Sequence, residues 1–166
     1  MKRSVDSAKV TISRASSSDA EAILALQKLA YQSEARLYDD WSIPPLTQDI
    51  ASLREEFRAS LVLKATVADQ LVGSVRAKID EGTAAIGRLI VNTEFQRHGI
   101  GSELLEAVEA ACVGAAKFEL FSGSKSEANI RLYQRHGYTV TRTESLSPTM
   151  LITFLEKPGR EISPHR

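Results

Sequence analysis

Apolar positions recur along the chain in two rhythms, period two and period three to four, and the changes of rhythm mark where strands give way to helices. Residues 9–15 alternate around Val10 and Ile12, which predicts a first strand. Ser18-Asp19-Ala20-Glu21 follows with capping-box spacing, and Ile23, Leu26 and Ala30 fall at i, i+3 and i+7, one face of a first helix. Residues 41–45, Trp-Ser-Ile-Pro-Pro, are expected to be extended, because each proline disfavours the α conformation in the residue before it. A second helix is expected from about Thr47, with Ile50, Leu53 and Phe57 on its apolar face. Residues 61–68 and 70–80, rich in aliphatic and β-branched side chains around a tight Asp69-Gln70 connection, read as a hairpin. Glu81-Gly82-Thr83 then turns the chain into a further strand over 84–91.

The second half has a different beat. Ile100, Leu104, Val108 and Cys112 recur every four residues and define a third helix that begins just after a pair of glycines. Residues 117–122 form a short strand, and Ser124-Lys125-Ser126-Glu127 offers a second capping box for a fourth helix. Gly137 is placed to end that helix in a left-handed conformation. Residues 138–142 and 150–155 read as two last strands joined through Ser147-Pro148. The order β-α-α-β-β-β-α-β-α-β-β predicts an α/β protein, a mixed sheet with helices on its faces. No linker, repeat or low-complexity tract interrupts residues 9–157, so one continuous domain is expected, with 1–8 and 158–166 as loose, flexible tails.

Composition narrows the function classes. A chain of 166 residues can bury a sizeable core without disulfides or a structural metal. Hydrophobic residues at 43% and charged residues at 25% exclude wholesale disorder. Lysine plus arginine and aspartate plus glutamate both number 21, so the basic excess that marks phosphate-backbone binding is missing and no nucleic-acid partner is expected. The one cysteine, Cys112, lies on the apolar stripe of the third helix and reads as a buried thiol, and the three histidines have no zinc-ligand spacing, so no metal is expected. His98 and His136, each beside an arginine, read as surface residues. The longest run without a polar residue, 110–116, is far short of the roughly 20 residues that span a bilayer, and no apolar stretch follows the charged N-terminus. A soluble, cytoplasmic protein without a membrane partner is the expectation.

The most informative segment is the run from Leu89-Ile90-Val91 through Gln96-Arg97-His98 to Gly99-Ile100-Gly101-Ser102. A buried-type strand enters a turn that delivers two glycines to the first turn of a helix. Helix N-termini present unpaired amides and about half a positive charge, and glycines let an anion's oxygens reach them. Arg97 and His98 flank the turn and can add charge-assisted contacts. A bare Gly-x-Gly is equally compatible with a tight strand-to-helix turn. The dinucleotide fingerprint wants a third glycine where Leu104 stands, and the Walker motif wants Lys-Ser/Thr where Gly101 is followed by Ser102 and Glu103.

Gln96-x-x-Gly99-x-Gly101 after that strand resembles the coenzyme A pyrophosphate loop of the GCN5-related N-acetyltransferase (GNAT) superfamily. Asn129-x-x-x-Tyr133-x-x-x-Gly137-Tyr138 is similar to the same superfamily's second motif, and the element order matches its fold over roughly residues 9–157. The resemblance implies a GNAT-like fold, a mostly antiparallel sheet of six to seven strands splayed between the fourth and fifth and flanked by about four helices. It implies acetyl-CoA as co-substrate and no metal. Carried over, the main chain of Leu89, Ile90 and Val91 holds the pantetheine arm, and the turn formed by Gln96, Arg97, His98, Gly99, Ile100, Gly101 and Ser102 holds the pyrophosphate. Asn129 would bind the arm. Tyr133 would act in catalysis, its neutral phenol giving a proton or a hydrogen bond to the leaving thiolate.

The acceptor amine must arrive neutral, although a lysine-type amine has a pKa near about 10.4, so a base is needed. Ala85, Ile86, Gly87 and Arg88 stand where some relatives carry a glutamate for this task. Glu34, Asp39 and Asp40 remain as candidates, near a loop that borders the acceptor site in the superfamily. Tyr31, Glu34, Tyr38, Asp39 and Trp41 in that loop combine aromatic faces with carboxylates and suit a cationic amine through cation–π and ion-pair contacts. Trp41 and Tyr38 can equally plug the base of the loop. The implied activity is acetyl transfer from acetyl-CoA to a primary amine, a small molecule in the leading reading, by direct attack in a ternary complex. A peptide acetyltransferase and a non-catalytic acyl-CoA-binding regulatory domain are the alternatives, and a homodimer stays open.

Overall fold

The computed structural model describes residues 9–96 and 98–159. Of the stretches expected to be loose tails, 1–8 and 158–166, residues 1–8 and 160–166 lie outside the described residues, as does Arg97. Seven strands, β1 (Val10–Arg14), β2 (Leu61–Val67), β3 (Gln70–Asp80), β4 (Thr83–Val91), β5 (Lys117–Gly123), β6 (Thr139–Ser147) and β7 (Met150–Pro158), form one sheet in the order β1-β2-β3-β4-β5-β7-β6. Among the described residues six α-helices join them: α1 (Ala20–Ala30), α2 (Gln32–Tyr38), the single turn α3 (Pro44–Thr47), α4 (Ile50–Ala59), α5 (Ile100–Ala111) and α6 (Glu127–Arg135). Every strand pairing is antiparallel except that of β4 with β5.

That parallel pair is the feature that makes a site. β4 and β5 pair only at Thr83 with Lys117, Ala84 with Phe118 and Ala85 with Glu119. Two residues further along β4 a bulge begins. On the β3 side, Ile90 is opposite Ser74 and Gly87 opposite Arg76, so Arg88 and Leu89 together face the single residue Val75. Arg88 takes φ 51°, in the left-handed region. A bulge bends its strand and takes one residue out of the ladder. Beyond Ala85, β4 and β5 no longer pair, and the edge of β4 facing β5 is left open.

Three packed clusters hold the helices to the sheet. On one face α5 lays Ile100, Leu104, Leu105 and Val108, each at most 1% exposed, against Val72, Val75 and Ile86. The four-residue beat of the sequence is therefore the helix's core stripe, and Cys112 is buried at its end with burial pushing its thiol pKa up. On the other face Ala20, Ile23 and Leu24 of α1 pack with Leu53 of α4 and Val62 of β2. The third cluster joins Ala35 and Tyr38 of α2 to Ile43, Met150 and Ile152, tying α2 to the β6–β7 hairpin.

Local punctuation departs from the sequence reading in several places. The box at the start of α1 is Ser16 with Asp19, whose carboxylate accepts the Ser16 N–H at 2.9 Å, and not Ser18 with Glu21. Asp19 wins because the same carboxylate also reaches Lys64 of β2, at 3.0 Å. Residues 41–45 are not extended throughout: Pro44 opens the turn α3, the position where a missing N–H costs nothing. The second long helix starts at Ile50 under an Asp49 cap that accepts from the Ser52 N–H at 2.8 Å. The hairpin turn is Ala68-Asp69, both at positive φ, rather than Asp69-Gln70. β7 runs to Pro158, into the segment expected to be a tail. Gly137 does end α6 at φ 92°.

Candidate active site

The opening between β4 and β5 continues into a cavity of about 590 Å³, a volume typical of small-molecule and cofactor sites. One end is the turn into α5. Gly99, the N-cap of that helix, has φ 80°, and a Cβ added there would meet nothing within 4 Å. A side chain at that φ would strain the backbone, and the space in front of the turn is empty of protein. Gly99, Ile100, Gly101 and Ser102 all contribute to the wall, with the Ile100 side chain turned into the core. Gln96 joins them, its amide donating to the Val91 carbonyl at 3.4 Å. His98 is exposed and off the wall. Ser102 is held from behind by His136, whose Nε2 lies 3.0 Å from its Oγ; His136 is half-buried and not the surface residue expected from sequence.

The middle of the cavity is β4. Leu89, Ile90 and Val91 line it. Across from them α6 contributes Asn129, exposed to the opening, and Tyr133, 7% exposed. Both stand on one helical face because they are four residues apart. Burial pushes the Tyr133 phenol far above its ordinary pKa, with the Tyr31 hydroxyl and the Glu34 carboxylate adding to the effect. At physiological pH it is a neutral hydroxyl and a proton donor.

The far end belongs to α2 and its neighbours. Tyr31 and Glu34 line it, together with Pro44 and Pro45 of α3. Glu34 is half-buried and accepts a hydrogen bond from the Ser126 hydroxyl at 2.5 Å. Desolvation raises its pKa above the usual carboxylate range and the Ser126 hydroxyl offsets part of that rise. Ser126, the N-cap of α6, makes no side-chain cap, so the second capping box expected from sequence does not form: its hydroxyl goes to Glu34, and Ser124 bonds Thr153 at 2.8 Å. The α3 wall is fixed by a buried polar network. Arg76 of β3 donates to Gln27 at 3.0 Å, to Gln48 at 3.2 Å and to Glu56 at 3.1 Å, while Gln27 donates to the Pro45 carbonyl at 2.9 Å.

The structure does not bring Tyr38, Asp39 and Trp41 to this wall. Tyr38 is 4% exposed, and its hydroxyl accepts the Lys125 N–H at 2.7 Å over Gly123, where a Cβ would sit 2.1 Å from the Tyr38 oxygen. Only glycine lets α2 seat so close to β5. Asp39 is the exposed C-cap of α2 at φ 50°, and Asp40 bonds Ser42 and Thr149. Trp41 is 53% exposed, with the Arg36 guanidinium 5.8 Å from its ring. Of the three carboxylates considered for a base, Glu34 alone reaches the cavity wall.

Sequence reading had no role for Arg88, Phe121, Leu146 or Met150, all of which line the cavity. Phe121 left a signal: it is an aromatic residue on the outward beat of its strand, 46% exposed. Leu146 and Met150 come from the β6–β7 hairpin, which nothing local in the sequence links to the glycine turn. Among the described residues no group of three or more potential ligand side chains is placed to hold a metal ion, and no helix is long and apolar enough to cross a membrane.

Residues 21–138 match the model of the acetyltransferase (GNAT) family. No curated protein matches the chain. Among solved structures, the ribosomal-protein-S18-alanine N-acetyltransferase of Escherichia coli superposes with a TM-score of 0.77 at 16% identity, over 95% of this chain and 99% of that one. The PaiA N-acetyltransferase of Thermoplasma acidophilum, solved in complex with coenzyme A, gives a TM-score of 0.71 at 21% identity, covering 90% of this chain and 99% of its own. The yncA protein of Salmonella typhimurium, solved with its cofactor acetyl-CoA, gives 0.73 at 20% identity, over 95% and 98%.

Proposed function

The chain belongs to the acetyltransferase (GNAT) family, and on that footing we propose that it moves the acetyl group of acetyl-CoA onto a primary amine of a small molecule by direct attack. The observation that carries this reading is the open backbone edge of β4, set between the glycine turn of α5 and the buried hydroxyl of Tyr133. The residues fit coenzyme A. A bulky anion has free space in front of Gly99, the first amides of α5 face it, and an extended amide-bearing arm has an unpaired strand edge to follow. Bound there, acetyl-CoA supplies an activated thioester as the acetyl donor.

Each residue then has a task that its surroundings suit. The amides of Gly99 to Ser102 and the N-terminal charge of α5 neutralise a diphosphate. Leu89, Ile90 and Val91 orient the arm through main-chain hydrogen bonds, so their side chains remain free to pack. The bulge at Arg88 and Leu89 leaves an N–H of β4 outside the ladder. Such a donor stabilises negative charge that develops on a carbonyl oxygen. Tyr133 holds its proton until a thiolate needs it. Glu34, with a raised pKa, takes a proton from the incoming ammonium and leaves a neutral amine. Pro44 and Pro45 on one side and Leu146 and Met150 on the other wall the acceptor end, which suits a small molecule.

The test is acetyl-CoA consumption over a panel of polyamines, amino acids, aminoglycosides and peptides. Turnover with a small amine is expected, and Tyr133→Phe is expected to lower kcat by roughly 10²- to 10⁴-fold while acetyl-CoA affinity holds. Turnover with peptides alone would replace the small-molecule acceptor, and an unchanged kcat in Tyr133→Phe would remove that residue from the chemistry.

A further inference from the structure

We infer that Arg88 is a carboxylate-binding residue of the acceptor site, so that the acceptor is an amine that also carries a carboxylate, such as an α-amino acid with an apolar side chain. This rests on the acetyl-transfer reading and adds the substrate class to it.

Two guanidinium groups line the cavity, the exposed Arg135 and the half-buried Arg88, and Arg88 is the one that stands beside Tyr31. Its Nε is buried and has no hydrogen-bond partner, and it forms no ion pair among the described residues. The contrast with its neighbour Arg76 is informative: that residue is more deeply buried, and Glu56 at 3.1 Å and two glutamine side chains satisfy it. The buried arginine that shapes the wall thus has a carboxylate partner, whereas Arg88, which faces the cavity beside the neutral Tyr31 phenol, has a buried Nε left over and no carboxylate among the described residues. Withdrawing a charge from water without a counter-charge is costly, and a bound anion removes the cost. Arginine's planar fork matches a carboxylate through two parallel N–H···O bonds, which a single lysine ammonium cannot reproduce.

The placement selects a zwitterion. The Arg88 guanidinium lies 5.9 Å from the centre of the Tyr31 ring. Tyr31 feels both the Arg88 charge and the Glu34 carboxylate, and Glu34 is bonded to Ser126 rather than to Arg88. The acceptor end therefore offers one cation and one carboxylate, both close to Tyr31, the complement of a carboxylate and an ammonium in one small molecule. Ile43, Phe121, Leu146 and Met150 add apolar wall to the cavity, which suits an aliphatic or aromatic side chain.

Leucine, methionine and phenylalanine are compared with their decarboxylated amines (3-methylbutylamine, 3-(methylthio)propylamine and 2-phenylethylamine) in the wild type, Arg88→Met and Arg88→Lys. The expected result is a kcat/KM ratio favouring at least one amino acid over its amine by roughly tenfold or more in the wild type, falling to about one in Arg88→Met and partly restored in Arg88→Lys. In parallel, calorimetry titrates the same amino acids into each protein saturated with coenzyme A, whose own affinity reports that the variants are folded. Heat from at least one amino acid with the wild type and none with Arg88→Met supports the assignment even if no acetyl is transferred, in which case it is the transfer reading that fails. No heat from any of the three with the wild type, equal binding by Arg88→Met, or acetylation confined to the decarboxylated amines overturns it and leaves acetyl transfer standing.

Discussion

Replacing Ser126 by alanine removes the hydroxyl that donates to Glu34 Oε1 at 2.5 Å and leaves the carboxylate in the same half-buried setting. Two opposing effects set the Glu34 pKa: desolvation raises it and this hydrogen bond lowers it. Without the hydroxyl the pKa climbs further. A hydrogen bond to a charged group contributes about 1.5–3 kcal/mol when water cannot replace it. Glu34 is only half-buried, so solvent recovers a good part, and about 1 kcal/mol is a fair remainder. At 1.36 kcal/mol per pH unit, that amounts to a little under one pH unit. A base works only when ionised, so activity is lost as pH falls through the Glu34 pKa. The acidic limb of kcat/KM should therefore move to higher pH by about 0.5–1 unit in Ser126→Ala, and it should vanish in Glu34→Gln. The assay is acetyl-CoA consumption with the best amine from pH 5 to 9. An acidic limb that stays in place in Ser126→Ala, or that survives in Glu34→Gln, would refute Glu34 as the base.

Two further substitutions test the packing that holds the cavity open. Leu104 is fully buried between α5 and β3, so Leu104→Ala should cost about 3–4 kcal/mol and lower Tm by roughly 10 °C in a thermal melt. Tyr38→Phe keeps the ring and deletes the acceptor of the Lys125 N–H, so urea unfolding should show a loss of about 1–2 kcal/mol. Because Tyr38 lies off the cavity wall, the same variant should leave the KM for acetyl-CoA unchanged.

What the sequence made legible was local. The stripe of Ile100, Leu104 and Val108 is a core face whatever surrounds it, and Gly137 announces a left-handed helix end by its position alone. The order of the strands and of the four longest helices followed from changes of period. Choices among similar residues were not legible. Ser16, Ser17 and Ser18 all offer a hydroxyl, and the winning box depends on Asp19 reaching Lys64, forty-five residues away. Ser126 should cap its helix by local rules, but Glu34 takes its hydroxyl from another part of the fold. The helix α2 lay hidden in a stretch read as a loop, because its buried face is only Ala35 and Tyr38 and its partners are on the distant β6–β7 hairpin. Arg88 could be named as a departure from the family pattern, but that its Nε is buried without a partner beside Tyr31 depends on how β4 and α2 come together and is not written in the residues around it.

The central claim is that main-chain amides at the start of α5 and along the open edge of β4 grip the acyl donor. Amide hydrogen exchange, read residue by residue with and without saturating coenzyme A, measures those groups themselves. Slower exchange at Gly99 to Ser102 and at amides between Arg88 and Val91, with little change at β1 and α4, is the predicted result. Undiminished exchange at both segments in the presence of bound coenzyme A, or protection confined to another part of the sheet, would contradict it.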